Sequence, residues 1–480
     1  MKLLLRILII LPAMTCVAAK AQDSTAIKGR LSLEQCVQTA LKNNLEVQQG
    51  KLQTMSGKIN WNQAKLNLLP TVNGNAGSGI NQGRSIDPYT NTIITEPIDF
   101  SNYALGAQLV LFNGGALRNS VGEKSLTYQA TVQELQQAKE NLTISVLLAY
   151  LQVLSTEDLL VQARAQASLS TEQVRRLEVL DSSGAISPYE LEDLRGQLAN
   201  DELAILTAQN DLETAKLSLC KLMNVRYSNQ LKVERLDSSK FTGRDMPQAE
   251  AVVTNALNSL PGIRAADLRY RSAGKSVGVY RGALFPRLTV NGDASTNYSS
   301  NARSQVFLDY QNEQSEDYVM VGSNSLPVYR KVENFDSRKI DYGKQLNNNL
   351  FTSFSLNLTV PLFNGLQARN NIRLAKIEQK NQELISATTK NTIQQAVEQA
   401  YINMATAKER QQVLLRQVAA FGASFQSAEI RFNAGVGNSV DYLTAKNNYD
   451  KSKTNLINAQ YDRVLKNMVL QYYNGENLFP

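Results

Sequence analysis

Between residues 114 and 181, apolar or small side chains return every seven positions: Leu135, Leu142, Ala149, Thr156, Ala163, Ser170 and Leu177. A second row, Val146, Val153, Leu160, Ala167 and Val174, falls between them at alternating steps of four and three. This is heptad spacing, and it predicts a long helix with one packed seam. No proline interrupts it, so a single rod of about 100 Å is expected over 114–181 at 1.5 Å per residue. The seam is unusual in carrying Ala, Thr and Ser among its knobs. A matching rod is predicted over 366–433. No compact globular core accommodates such rods, because globular helices average three or four turns.

Each rod stops at a readable turn. The first meets Ser182-Ser183-Gly184, and Ser187-Pro188-Tyr189-Glu190 then opens a return helix over 188–223. Ser187 suits the cap, Pro188 the first helical position and Glu190 the third. The second meets Asn433-Ala434-Gly435, and Asn438-Ser439-Val440-Asp441 opens a return helix over 439–473. Gly184 and Gly435 suit the left-handed backbone at a helix end.

Ahead of each rod the period falls to two. Strands are predicted over 70–84 and 103–112, and again over 286–298 and 351–363. The clearest is Phe354-Ser355-Leu356-Asn357-Leu358-Thr359-Val360, apolar on one face and small and polar on the other. That suits a half-buried sheet, or a barrel with lipid outside and water inside. Residues 84–102 and 299–349 are predicted as polar loops, the second long and carrying Tyr310, Tyr318, Tyr329 and Tyr342. A capping box at Ser32 and Gln35 opens a first helical region, broken near Asn43-Asn44 and ending at Leu69-Pro70.

These patterns occur twice. Leu111-Phe112-Asn113-Gly114 returns 251 residues on as Leu362-Phe363-Asn364-Gly365, and the same shift carries Ala149-Tyr150 onto Ala400-Tyr401 and Gly184 onto Gly435. A shift of 216 relates Ala40-Leu41 to Ala256-Leu257 and Pro70 to Pro286, which puts a 35-residue insertion between Pro286 and Leu362. The chain is expected to be two copies of one unit, 22–250 and 251–480, behind a signal peptide at 1–21.

The signal peptide rests on Lys2 and Arg6, the apolar run Leu3–Leu11 and the small residues of Ala19-Lys20-Ala21. Cys16 follows Met14-Thr15, a poor lipobox, and no later stretch is expected to reach the length of a spanning helix. The formal charge of +7 shrinks once Lys2, Arg6 and Lys20 are removed, so no nucleic-acid partner is implied. Histidine is absent from all 480 residues. That argues against histidine triads, imidazole acid–base chemistry and most zinc sites. No cofactor motif is present.

Together the signal peptide, the duplicated strand-and-rod plan, Leu-Phe-Asn-Gly at both strand-to-rod junctions and Arg431-Phe432-Asn433-Ala434-Gly435 at a rod end resemble the TolC family of outer-membrane efflux channels. The resemblance covers about 30–478. It implies a mainly α fold with a membrane β-barrel part: a homotrimer sharing a twelve-stranded barrel, four strands per chain, continued by a long periplasmic α-helical barrel. It implies a passive outer-membrane conduit of a tripartite efflux or secretion system in a Gram-negative envelope. The partners would be a periplasmic adaptor, an inner-membrane transporter and outer-membrane lipid. By resemblance, Gly184, Gly435, Arg431, Phe432 and Glu190 mark the tips that meet the adaptor, and 84–102 and 299–349 are the external loops. Asp441 matches the first of two aspartates that narrow the family's tunnel mouth, and Thr444 stands where the second would be. The first tip, Val179-Leu180-Asp181-Ser182-Ser183-Gly184, lacks the Arg-Phe pattern. Cys36 and Cys220, the cysteines left after cleavage, both fall in the family's equatorial belt and are expected to be neighbours and a candidate disulfide.

Independent physics points the same way. Four strands cannot close a barrel, and open edges are not tolerated in lipid, so several chains must share one. Two other readings stand beside this one. A structural periplasmic coiled-coil protein bridging envelope layers would need the heptads but not the alternating strands. A secreted carboxylate-based hydrolase would need an acidic pair, and none stands out in either β region.

Overall fold

The computed structural model describes residues 30–87, 91–184, 186–236 and 248–476. The expected signal peptide at 1–21, with Cys16, lies outside them. The chain runs β1 (Arg30–Leu31), α1 (Leu33–Asn43), α2 (Leu45–Leu66), β2 (Thr71–Asn81), β3 (Ser85–Ile86), β4 (Ile93–Ile94), β5 (Ile98–Asn113), α3 (Ala116–Ser182), α4 (Pro188–Met223) and β6 (Lys232–Val233). The plan then returns as α5 (Ala249–Ser259), α6 (Pro261–Arg281), β7 (Arg287–Ser299), β8 (Arg303–Val321), β9 (Asn324–Lys339), α7 (Tyr342–Asn348), β10 (Phe351–Thr359), α8 (Gln367–Asn433) and α9 (Ser439–Tyr473). The rods α3 and α8 are each 67 residues long.

The expected long loop is not observed. The segment 299–349 is not a loop: β8 and β9 pair antiparallel as a long hairpin, and α7 follows. The register slips between Phe307 and Asp309 and between Gln314 and Tyr318. The first irregularity shifts the alternation by one residue and the second interrupts the pairing over 315–317, so the period-two signal never runs long enough to be read.

Contacts divide the chain into two compact units that cut across the sequence repeats. Among the described residues, one comprises those within 1–55, 129–267 and 384–480, the other those within 56–128 and 268–383. Each unit therefore takes matching pieces from both copies.

The first unit holds the ends of the rods and both return helices. Its largest core gathers Cys36, Val37, Ala40, Val146, Leu147, Tyr150, Val153, Leu154, Leu219, Cys220 and Met223. The seam residues Leu142, Val146, Val153, Leu160, Ala163, Ala167, Val174 and Leu177 are all buried, as heptad spacing requires. One 18-residue window of α3 is apolar enough to cross a membrane, against the expectation that no such stretch follows the leader, but half of it is buried inside the unit. It is a core helix here. Beside that core, β1 and β6 pair in parallel, and the Tyr150 hydroxyl lies 3.0 Å from the Leu31 carbonyl and 2.6 Å from that of Glu234. The Ser32–Gln35 capping box is formed, and α1 ends at Asn44, whose side chain accepts from the Glu46 backbone at 2.9 Å.

Cys36 and Cys220 sit in that same core as free thiols, so they are neighbours without a bond. Burial, and then the charge of Cys220, pushes the Cys36 thiol from 9.0 up to about 12. A raised folded value means this group's stabilisation is held below pH 9 and lost as pH climbs from 9 towards 12. Alkylation of the native protein at neutral pH should be at least tenfold slower than for an exposed thiol. Titration in unreduced denaturant should then find two thiols per mature chain; none would restore the disulfide.

The second unit holds a four-stranded sheet in the order β10-β7-β5-β2, every pair antiparallel. Its edge strands, β10 and β2, are each paired on one side only.

Candidate functional site

Strand register sorts the sheet into two faces. Leu356 lies opposite Val290, Val290 opposite Leu109, and Leu358 opposite Leu288. Leu105 and Ala107 on β5 continue this face through Ala107 to Val72 on β2. The alternate positions are Asn357 opposite Thr289, Ser355 opposite Asn291, Asn291 opposite Gln108, and Asn73 opposite Gly106. One face is thus aliphatic across all four strands, and the other carries Asn, Ser, Thr and Gln. The aliphatic face is bare: Phe354 is 79% exposed, Leu356 59% and Leu358 64%. Water does not tolerate such a patch on a monomer, whereas hydrocarbon does. Tyr103 and Tyr342 share a hydroxyl contact of 2.9 Å at one end of the sheet, with Tyr298 packed on Tyr342 at 4.5 Å. Tyrosines of this kind suit a membrane–water interface, with an apolar ring and a wet hydroxyl.

The tip of the second hairpin lies in the other unit. Gly435 has φ +72°, and Val436 and Gly437 both donate to the Arg431 carbonyl at 3.1 Å, closing the end of α8. Asn438 caps α9, its side-chain oxygen accepting from the Asp441 backbone at 2.7 Å. Asp441 and Thr444 are both exposed one turn apart on α9. The first tip is built more loosely. Gly184 has φ +70° and donates to the Asp181 carbonyl at 2.9 Å. Ser187 makes no side-chain cap bond, and Glu190 makes no side-chain hydrogen bond among the described residues, so the capping pair expected there is not formed.

Phe432 also departs from expectation. It is buried, stacked on Tyr442 at 4.8 Å, and Phe425 lies 5.7 Å from Tyr442 on the same core. It therefore ties α8 to α9 from inside, and the surface of the tip is left to Arg431 and Gly435, both exposed. Arg176 on α3 donates to the side chain and carbonyl of Asn433, and Ser439 donates to Asp193 at 2.9 Å, so the two tips are pinned to each other.

Behind the tips lies a buried charge cluster that sequence reasoning missed. Lys446 on α9, 1% exposed, donates to Asp201 on α4 at 2.8 Å and to Asp450 at 3.0 Å. Ser170 donates to the same Asp201 oxygen at 2.5 Å, and Gln197 to the other at 2.8 Å. The i,i+4 pair Lys446–Asp450 is legible in the sequence. Asp201, 245 residues away, is not.

The described residues hold no group of His, Cys, Asp or Glu that could bind a metal ion. The geometry offers a membrane face, a polar wall and a pinned helical tip. The family described as "Outer membrane efflux protein" matches over 36–225 and 252–475, once in each sequence repeat. Among relatives, toxin and drug export protein A of Aggregatibacter actinomycetemcomitans is 20% identical over 90% of this chain and 83% of its own. Outer membrane protein TolC of Vibrio cholerae is 22% identical over 85% and 82%. The CmeC outer membrane channel of Campylobacter jejuni superimposes with a TM-score of 0.74 at 15% identity, covering 93% of this chain and 87% of that one. The chain belongs to the outer membrane efflux protein family. It is an outer-membrane channel that extends into the periplasm, not an enzyme.

Proposed function

We propose that three copies of this chain close one twelve-stranded barrel, and that the channel takes cargo from an inner-membrane transporter through a periplasmic adaptor. The observation that carries this is the sheet itself: an aliphatic outer face with two unpaired edge strands, β2 and β10. Edges in hydrocarbon must pair, and copies related by rotation supply the missing partners. The tips around Gly184 and Gly435, with Arg431 exposed, are the surface offered to the adaptor, and Glu190 lies beside them at the start of α4.

Asp441 narrows the tunnel mouth in this reading, with Thr444 one turn behind it. Three carboxylates around an axis attract cations, divalent ones above all. Asp441 is also a helix-start residue, and its exposed side chain is free to do both. Asp441→Asn should leave thermal stability within about 0.5 kcal/mol, as exposed substitutions do. It should weaken divalent block of single-channel current roughly tenfold, because the confined charge is gone. Parent-like selectivity and block in Asp441→Asn channels would leave Asp441 as a helix-start residue alone.

A further inference from the structure

The β8–β9 hairpin is an unfinished sheet. Its strands are 19 and 16 residues long, and it forms a two-stranded sheet of its own. Both outer edges are therefore unpaired along their length. A lone two-stranded ribbon is marginally stable in water, and long bare edges are templates for further strands. The strands are long and hold one proline, Pro327, while their bulges and charges guard the edges against indiscriminate pairing and leave room for an edge of complementary charge.

Its two strands differ in charge. β8 carries four carboxylates, Asp309, Glu313, Glu316 and Asp317, against one cation, Arg303. β9 carries four cations, Arg330, Lys331, Arg338 and Lys339, against two carboxylates, Glu333 and Asp336. Little of this is neutralised within the hairpin. Glu313 lies opposite Arg330 in the register, but the ion pair recorded in the hairpin is Arg338–Asp336, within β9. The acidic stretch of β8 and the cations at 330 and 331 stand at the same level of the ribbon.

We propose that the occupant of these edges is the hairpin of a second copy: the acidic β8 edge of one chain pairs with the basic β9 edge of the next. This rests on the trimer reading above. Rotation about a three-fold axis presents unlike edges to each other, which a two-fold axis would not do. Because β8 and β9 run in opposite directions, neighbouring edges meet antiparallel with their charges level. The result is a collar beyond the barrel, held by backbone hydrogen bonds and by charge, and it gives the 35-residue insertion of the second repeat a structural task.

The test uses full-length chains in cells. One population carries Glu313→Cys, another Arg330→Cys, and a third co-expresses both under mild oxidation. The co-expressed sample should give a covalent two-chain species about tenfold above either single variant, because the contact joins unlike edges. Equal crosslinking in the single variants, or none in any sample, would overturn the collar. Native mass measurement of the same preparations separates the two ideas. Trimers without the mixed crosslink sink the collar alone, whereas monomers sink the trimer reading beneath it. As a second variant set, Lys331→Glu with Lys339→Glu, added to the Arg330→Cys chain, should weaken the mixed crosslink about tenfold while trimers persist, and retention of the crosslink would remove charge as its cause.

Discussion

Lys446→Ala should destabilise the protein by about 3–5 kcal/mol, the range for stripping one partner from a buried ion pair. The reason lies in what remains. Asp201 keeps its bonds from Ser170 and Gln197 but loses the one cation bonded to it among the described residues, and Asp450 loses the same cation from 3.0 Å. Two carboxylates are then left beside each other with little water. Removing the two most buried charges should behave differently: Lys446→Met with Asp201→Asn should recover a large part of the loss, since the carboxylate that remains, Asp450, is the more exposed of the two. Urea midpoints of the purified proteins, with the double variant as control, measure this. A loss below about 1 kcal/mol for Lys446→Ala would mean the cluster is solvated, as an exposed pair is.

The second large effect separates the faces of the sheet. Leu356 and Asn357 are adjacent on β10, yet one belongs to the aliphatic face and the other to the polar one. Leu356→Arg should cost about 2–4 kcal/mol, the penalty for a cation facing lipid near the midplane of a barrel. Little folded protein should then reach the outer membrane. Asn357→Arg should insert normally and shift ion selectivity towards anions, because its side chain faces water. Membrane fractionation and single-channel reversal potentials read the two outcomes. If the two variants exchanged behaviour, the sheet would face the opposite way.

Much of this architecture was legible because helices of this length announce themselves. A seam that repeats from Leu135 to Leu177 defines the period, and the stops at Gly184 and Gly435 are glycines that a left-handed backbone requires. The strands were legible wherever alternation ran unbroken, as in Phe354–Val360. The hairpin was not, because a bulge at Leu308 shifts the alternation, the pairing breaks over 315–317, and its mixed aromatic and polar residues carry no clean face. Long-range pairs stayed hidden for a different reason. Nothing local in the sequence ties Asp201 to Lys446 or Arg176 to Asn433; only the packing of the two helical hairpins brings them together. The buried position of Phe432 belongs to the same class. Its neighbours in sequence mark a tip, but its partner Tyr442 is supplied by the following helix.

Single-channel recording on the purified protein in planar bilayers, paired with native mass measurement of the same detergent-solubilised sample, tests the central claim most directly. The account predicts three chains per particle and discrete, cation-selective conductance steps. A water-soluble monomer that leaves the bilayer silent would contradict it.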